Sequence, residues 1–273
     1  MGSILSTVRD SLRERNAVNR WTVEDVTVGA RAVLVELADD GDGEARTAGL
    51  AHRPPGDPNR LPSDPSDPEE LLGPLQDAGT GEASWLPRAV AIATLNALSA
   101  PFIDWQSGDP MARLDPGVET ITTVGLFRPA FRKFADVTVR VIEREQVVAD
   151  SVTAPDGVVV ESYRPEQTAV AMQGTEVVFV TGSTLVYGGI ERSLEAVPAE
   201  ATAVVIGATA SMLPEQLFAA GADVVAGVAV DDTGRAREAV AAGACGTDLH
   251  DHGVRKGFVA ETQPAGLGHQ EHE

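Results

Sequence analysis

The chain has 273 residues, 43% of them hydrophobic, so it carries enough apolar side chain for a sizeable core and is no disordered acidic polymer. Its 41 Asp and Glu outnumber 21 Lys and Arg, and the resulting formal charge of −20 repels nucleic-acid phosphates and anionic membrane surfaces. A single cysteine, Cys245, excludes an intrachain disulfide, and no apolar run reaches the ~18–20 residues of a membrane span.

The acids are spread along the chain, and Arg supplies nearly all the positive charge, the lysines being Lys133 and Lys256. This composition is like that of proteins from a high-salt cytosol, where screening tolerates dense acids. The N-terminal segment lacks the basic-then-apolar pattern of a signal peptide, so a cytoplasmic location is expected.

Taken in order, residues 4–16 place Ile4, Leu5, Val8 and Leu12 at helical spacing behind Ser3, a capping residue. Residues 21–28 alternate in part, 31–38 are strand-like, Asp40-Gly41-Asp42-Gly43 signals a turn, and residues 46–52 return as a strand: an antiparallel meander. Residues 53–68 are dominated by Pro, Asp and Ser and read as a loop. Residues 84–99 form a helix apolar on most sides, with Ser84 as cap and Pro87 in its first turn, as for a helix buried between two layers.

From residue 119 strands and helices alternate. Strands are expected at 119–124, 137–142, 177–180, 203–206 and 224–226, and helices near 166–173, 190–196, 214–220 and 234–242. That spacing predicts βαβ units and a parallel sheet, hence an α/β protein with a Rossmann-like domain. Residues 264–273 are small and polar and read as a frayed tail.

Three strand ends carry small-residue turns: Val124-Gly125, Val180-Thr181 followed by Gly182-Ser183-Thr184, and Ile206-Gly207. In a parallel sheet these ends share one edge and can line one crevice. Glu143, 18 residues after Gly125, stands where a Rossmann-type acid accepts ribose hydroxyls, but GLFRPA lacks the GxGxxG fingerprint. A tightly held dinucleotide is therefore disfavoured, while an adenosine-like or other small ligand stays open. Asn96 lies inside the apolar helix, either satisfied by backbone or aimed into a cleft.

Ser183 has no G-x-S-x-G context and His52 belongs to the meander, so a hydrolase triad lacks support, and there is no Walker A sequence. Cys245, Asp248, His250, Asp251 and His252 are mixed donors at a spacing unlike structural zinc sites, with His250 and His252 on one face if they occupied a strand. His269 and His272 lie in the tail.

Several blocks together carry a family resemblance: VGLFRPAF (124–131), VTVRVIERE (137–145), VVFVTGSTLVYGGIERSL (177–194), VVIGATASMLPEQLFAAGADVVAGVAV (204–230) and VAAGACG (240–246). The region 119–258 resembles the Rossmann-like family described as "putative heavy-metal chelation". The part before it, through WTVEDVTVGARAVLVEL, TAGLA and RAVAIATLNALSAP, resembles that family's enolase N-terminal-like α+β partner. The resemblance implies an α+β domain over 1–106, a Rossmann-like domain over 107–260 and a flexible tail over 261–273.

It also implies a ligand cleft between the domains, roofed by the Asn96 helix and floored by the strand ends. Its candidate residues are Asn96, Gly125, Phe127, Glu143, Thr181, Ser183 and Thr184. The chain departs from the family at Arg128, where Pro is usual, at Tyr187, where Asn often stands, and at Gly207-Ala208-Thr209.

The expectation is a small-molecule or metal-binding protein handling a transition metal or metal-tetrapyrrole, with no nucleic-acid or membrane partner and homo-oligomerisation left open. The alternative is an enzyme that binds an adenosine-type ligand, S-adenosylmethionine or a nucleotide. A third reading is a subunit with a vestigial cleft.

Overall fold

The computed structural model describes residues 3–39, 41, 45–75, 81–145, 147, 152–262 and 264–268. Helix α1 (Ile4–Glu14) buries Ile4, Leu5, Val8 and Leu12, and Ser3 caps it by accepting the Ser6 N–H at 3.3 Å. Strands β1 (Trp21–Val28), β2 (Ala32–Asp39) and β3 (Arg46–His52) form the expected antiparallel meander, order β1-β2-β3. Its expected Asp-Gly turn lies, apart from Gly41, outside the described residues. A short helix, α2 (Pro68–Leu72), follows, closed at its start by an Asp67–Glu70 capping box.

Helix α3 (Glu82–Ser99) is apolar almost all round and buried from Ala89 to Ser99. Gly49 of β3 lets the meander approach it: a Cβ there would stand 2.1 Å from the Ala93 carbonyl oxygen and 2.3 Å from the Ala97 nitrogen. The helix starts earlier than its polar residues indicate. Gly81 is the N-cap, Ser84 Oγ donates to the Gly81 carbonyl at 2.7 Å instead of capping, and Pro87 sits inside the helix.

The second sheet has eight strands: β4 (Gln106–Ser107), β5 (Thr120–Val124), β6 (Thr138–Ile142), β7 (Val159–Tyr163), β8 (Val177–Thr181), β9 (Thr202–Ile206), β10 (Val224–Val230) and β11 (Val254–Ala260). Their order is β4-β11-β10-β9-β8-β5-β6-β7; β5 to β10 pair in parallel, and β11 and β4 extend the sheet antiparallel. The intervening helices are α4 (Thr168–Ala171), α5 (Thr184–Tyr187), α6 (Ile190–Glu195), α7 (Glu215–Ala219) and α8 (Thr233–Ala241). This is the expected mostly parallel, Rossmann-like α/β sheet.

Strands β4, β7 and β11 are additions to the expected set. β7 is a half-exposed outer strand, and β11 carries Arg255, Lys256 and Gly257, so neither shows the apolar run of a buried parallel strand. Helix α5 starts directly after Ser183, and Gly188-Gly189, both at positive φ, separate it from α6. His250 and His252 lie in a 3-10 turn, Gly246–His252, and not on a strand. Residues 264–268 are docked: the carbonyls of Ala265 and Gly266 accept from Thr202 Oγ1 and Asp115 N, and Leu267 is buried.

One apolar cluster joins Val33, Val35 and Leu37 of β2 to α1, to α3 and to Val178 and Val180 of β8. Val177 and Phe179 point to the opposite face, into a cluster with Phe131, Phe134 and Val139. That two-sided burial is why β8 reads as a continuous apolar run. Ala32 and Leu34 on the other side of β2 pack on Ala236 and Val240 of α8. Among the described residues no helix is long and apolar enough to cross a membrane.

Candidate functional site

After β5 the chain builds outward through β6 and β7, then returns to the other side of β5 and continues through β8, β9 and β10. The direction of growth therefore reverses between β5 and β8. At such a reversal the loops leaving adjacent strands diverge and open a crevice at the carboxyl ends. A cleft of about 710 Å³ lies there, walled on the other side by β2 and β3. That volume falls within the ~300–1,000 Å³ of small-molecule sites.

Gly125, Phe127, Glu143, Thr181, Ser183 and Thr184 all line this cleft. Gly125 has φ +99°, and a Cβ there would meet Thr181 Cγ2 at 2.6 Å, so the turn needs glycine for both its conformation and its closeness to β8. Thr181 Oγ1 and Ser183 Oγ face each other at 3.2 Å, while Thr184 Oγ1 donates to the Thr181 carbonyl at 2.7 Å. Glu143 accepts the Leu126 N–H on Oε2 at 3.2 Å and the Arg144 N–H on Oε1 at 2.9 Å. Its carboxylate thus fastens the end of β6 to the turn after β5.

Asn96 is placed differently. It is 1% exposed, lies outside the cleft lining and donates Nδ2 to the carbonyls of Leu50, Ala208 and Thr209 at 2.7, 3.2 and 3.2 Å. Backbone carbonyls thus satisfy the amide nitrogen, while the buried Asn96 Oδ1 has no hydrogen-bond partner among the described residues. Leu50, Ala208 and Thr209 themselves border the cleft, so Asn96 braces two walls from behind.

The structure also brings in residues that sequence reasoning left aside. His52, the last residue of β3, faces the cleft with Nε2 2.9 Å from the Tyr187 hydroxyl, and its backbone N–H donates to Thr209 Oγ1 at 2.9 Å. The Arg144 guanidinium lies over the Tyr187 ring, 4.1 Å from its centroid, and Trp85 meets that ring edge-on at 4.9 Å. Burial, and then the nearby Arg144 charge, push the His52 pKa below its ordinary value, which favours the neutral imidazole.

Arg31 and Arg192 complete the positive groups of the lining; Arg31 pairs with Asp248 at 3.1 Å. Tyr187 and Arg144 lie within the blocks that carry the family resemblance, but nothing local to either placed it at this corner. His52 had no local signal.

The CGTDLHDH segment is dispersed. Cys245 lines the cleft, Asp248 binds Arg31, and His250 Nδ1 lies 3.1 Å from the Val254 carbonyl oxygen. His269 and His272 lie outside the described residues.

Comparison with known proteins bears on what this arrangement is. The profile of the family described as "Putative heavy-metal chelation" matches residues 112–258, more than half of the chain. The chain belongs to that family. A member of unknown function from Pyrococcus horikoshii superposes with a TM-score of 0.73 at 18% identity, covering 94% of this chain and 100% of its own. Another of unknown function, from Desulfitobacterium hafniense, gives 0.63 at 15% identity, covering 93% and 100%. At these identities the likeness is one of fold. No curated protein matches the chain.

Among the described residues the donors at the cleft do not suit a bare metal ion. Among the described residues no three His, Cys, Asp or Glu side chains gather as a metal-holding group. The cleft instead sets Arg144 and Arg192 against Glu143, with Arg31 ion-paired to Asp248, a balance that disfavours a free cation.

Proposed function

We propose that this family member binds a small anionic molecule in the cleft at the carboxyl ends of β5, β8 and β9, and that a metal enters there only as cargo inside an anionic chelate. The observation that carries this reading is the charge reversal: Arg144 and Arg192, beside an Arg31 paired with Asp248, face the cleft against Glu143 on a chain of formal charge −20. A positive cleft in a negative surface concentrates anions and discriminates against cations. Thr181, Ser183 and Tyr187 add neutral hydroxyls that fix orientation, and Phe127 and Leu126 supply apolar contact. An anionic metal-tetrapyrrole or a polycarboxylate chelate has this mixture of charge and apolar surface.

Isothermal titration tests it. Metal-loaded and metal-free forms of an anionic tetrapyrrole bind, and free Co²⁺, Ni²⁺ and Zn²⁺ give no heat attributable to the cleft. Saturable binding of the free ions that Arg192→Glu strengthens, with no anion binding, overturns the reading.

The second reading, an enzyme with an adenosine-type ligand, draws on Glu143 at the end of β6 beside the strand-order reversal. Both its oxygens already accept backbone N–H groups, which ranks this reading second. It requires thermal stabilisation by S-adenosylmethionine or a nucleotide, roughly 2.7 kcal/mol at 100 times Kd.

A further inference from the structure

We propose that the corner formed by His52, Tyr187 and Arg144 is the oxyanion subsite of the cleft, and that a carboxylate or phosphate group binds there together with one proton, which His52 takes up. The inference rests on the anion-binding reading above and specifies where in the cleft the charge sits and what accompanies it.

Three elements far apart in sequence converge on this corner: the end of β3, the end of α5 and the turn after β6. His52 is oriented at two points, by its backbone N–H on Thr209 Oγ1 and by Nε2 at 2.9 Å from the Tyr187 hydroxyl. The Arg144 guanidinium lies over Tyr187, and its side chain has no carboxylate partner among the described residues. A guanidinium with its fork unpaired beside a phenol and an imidazole is a donor set for a planar or tetrahedral oxyanion.

The other ionisable groups around His52 do not duplicate this role. Arg31 is paired with Asp248, Arg53 donates to the Gly56 carbonyl, and Glu143 holds the β5 turn. Arg192 and Cys245 also line the cleft, with no hydrogen bond to His52 among the described residues.

Without an anion, burial and the Arg144 charge keep His52 neutral. An anion on Arg144 offsets that charge and adds its own attraction for an imidazolium, so binding the anion and protonating His52 favour each other by the same factor. The accounting is complete with no bond broken in the ligand: one anion and one solvent proton go in. Protonated Nε2 then donates to the Tyr187 oxygen, and the Tyr187 hydroxyl turns its own hydrogen toward the anion.

The test is calorimetry of the full chain with pyrophosphate and with citrate, each in two buffers of unlike ionisation enthalpy at one pH near neutrality. Net uptake approaching one proton per anion is expected, with affinity falling up to about tenfold per pH unit above the His52 pKa of the free protein. The arm that shows uptake identifies phosphate or carboxylate as the ligand group. His52→Gln abolishes the uptake; Tyr187→Phe keeps it and weakens binding roughly tenfold. Binding without uptake, or uptake unchanged in His52→Gln, overturns this inference and leaves the anion reading standing. Binding of neither probe overturns both. An imidazole Cε1–H NMR titration of the unmutated protein guards against misfolding of the variant: one histidine titrates at higher pH with the probe present, and none doing so overturns the proposal.

Discussion

The imidazole of His52 and the hydroxyl of Tyr187 meet at 2.9 Å although 135 residues separate them. This contact joins the end of β3 to the end of α5 at the cleft wall. Tyr187→Phe keeps the ring that Arg144 and Trp85 pack against and removes only the hydrogen bond. A loss of about 1 kcal/mol in denaturant unfolding is expected, with an unchanged m-value.

Burial of His52 beside the Arg144 charge gives stability a pH signature. The His52 pKa is lowered in the folded state from its ordinary 6.5, so the unfolded chain binds more protons in the interval between the two values. Stability therefore rises with pH across that interval and is lost as pH falls from 6.5 through the folded-state value. His250 acts with the same sign, its pKa lowered chiefly by burial. Thermal melts from pH 5 to 8 show this slope, and His52→Gln reduces it without removing it.

Asn96 braces the cleft from outside its lining. Asn96→Asp replaces an amide that donates to three carbonyls by a group with no N–H to offer, in a 1% exposed position. The expected cost is at least about 3 kcal/mol, read as a large drop in denaturation midpoint.

Arg192 separates binding from folding. It is exposed, lines the cleft and has no hydrogen-bond or ion-pair partner among the described residues. Arg192→Glu leaves stability within about 0.5 kcal/mol of the parent and weakens an anionic ligand by roughly tenfold or more. Calorimetry and thermal melts on one preparation check both halves.

Gly125→Ala tests the turn at the strand-order reversal. The added Cβ meets Thr181 Cγ2 at 2.6 Å in a backbone of φ +99°, so a loss of about 1–3 kcal/mol accompanies any change in binding.

Local chemistry made much of this molecule legible. Burial of Val177–Val180 on both faces leaves the continuous apolar run expected of a central strand, and Gly125, Gly182 and Gly207 mark where such strands turn. Because parallel strands end on one edge, chain order brought together the turns at Gly125, at Thr181 to Thr184 and at Gly207, with Glu143 at the next strand end, and the family resemblance added Phe127. Asn96 was ambiguous for a physical reason: a buried amide needs partners, and one sequence does not say whether backbone or ligand supplies them.

The sequence by itself thus determined the alternation of strand and helix, the small-residue strand ends and the overall acidity. Only the tertiary structure decided that the cleft is basic, that Asn96 braces its walls and that His52 faces Tyr187. Those outcomes depend on how closely β3 lies on α3, which Gly49 permits, and on which side of the sheet the meander settles. Such long-range approaches come from packing two layers over a shared core, and no spacing within either segment encodes them.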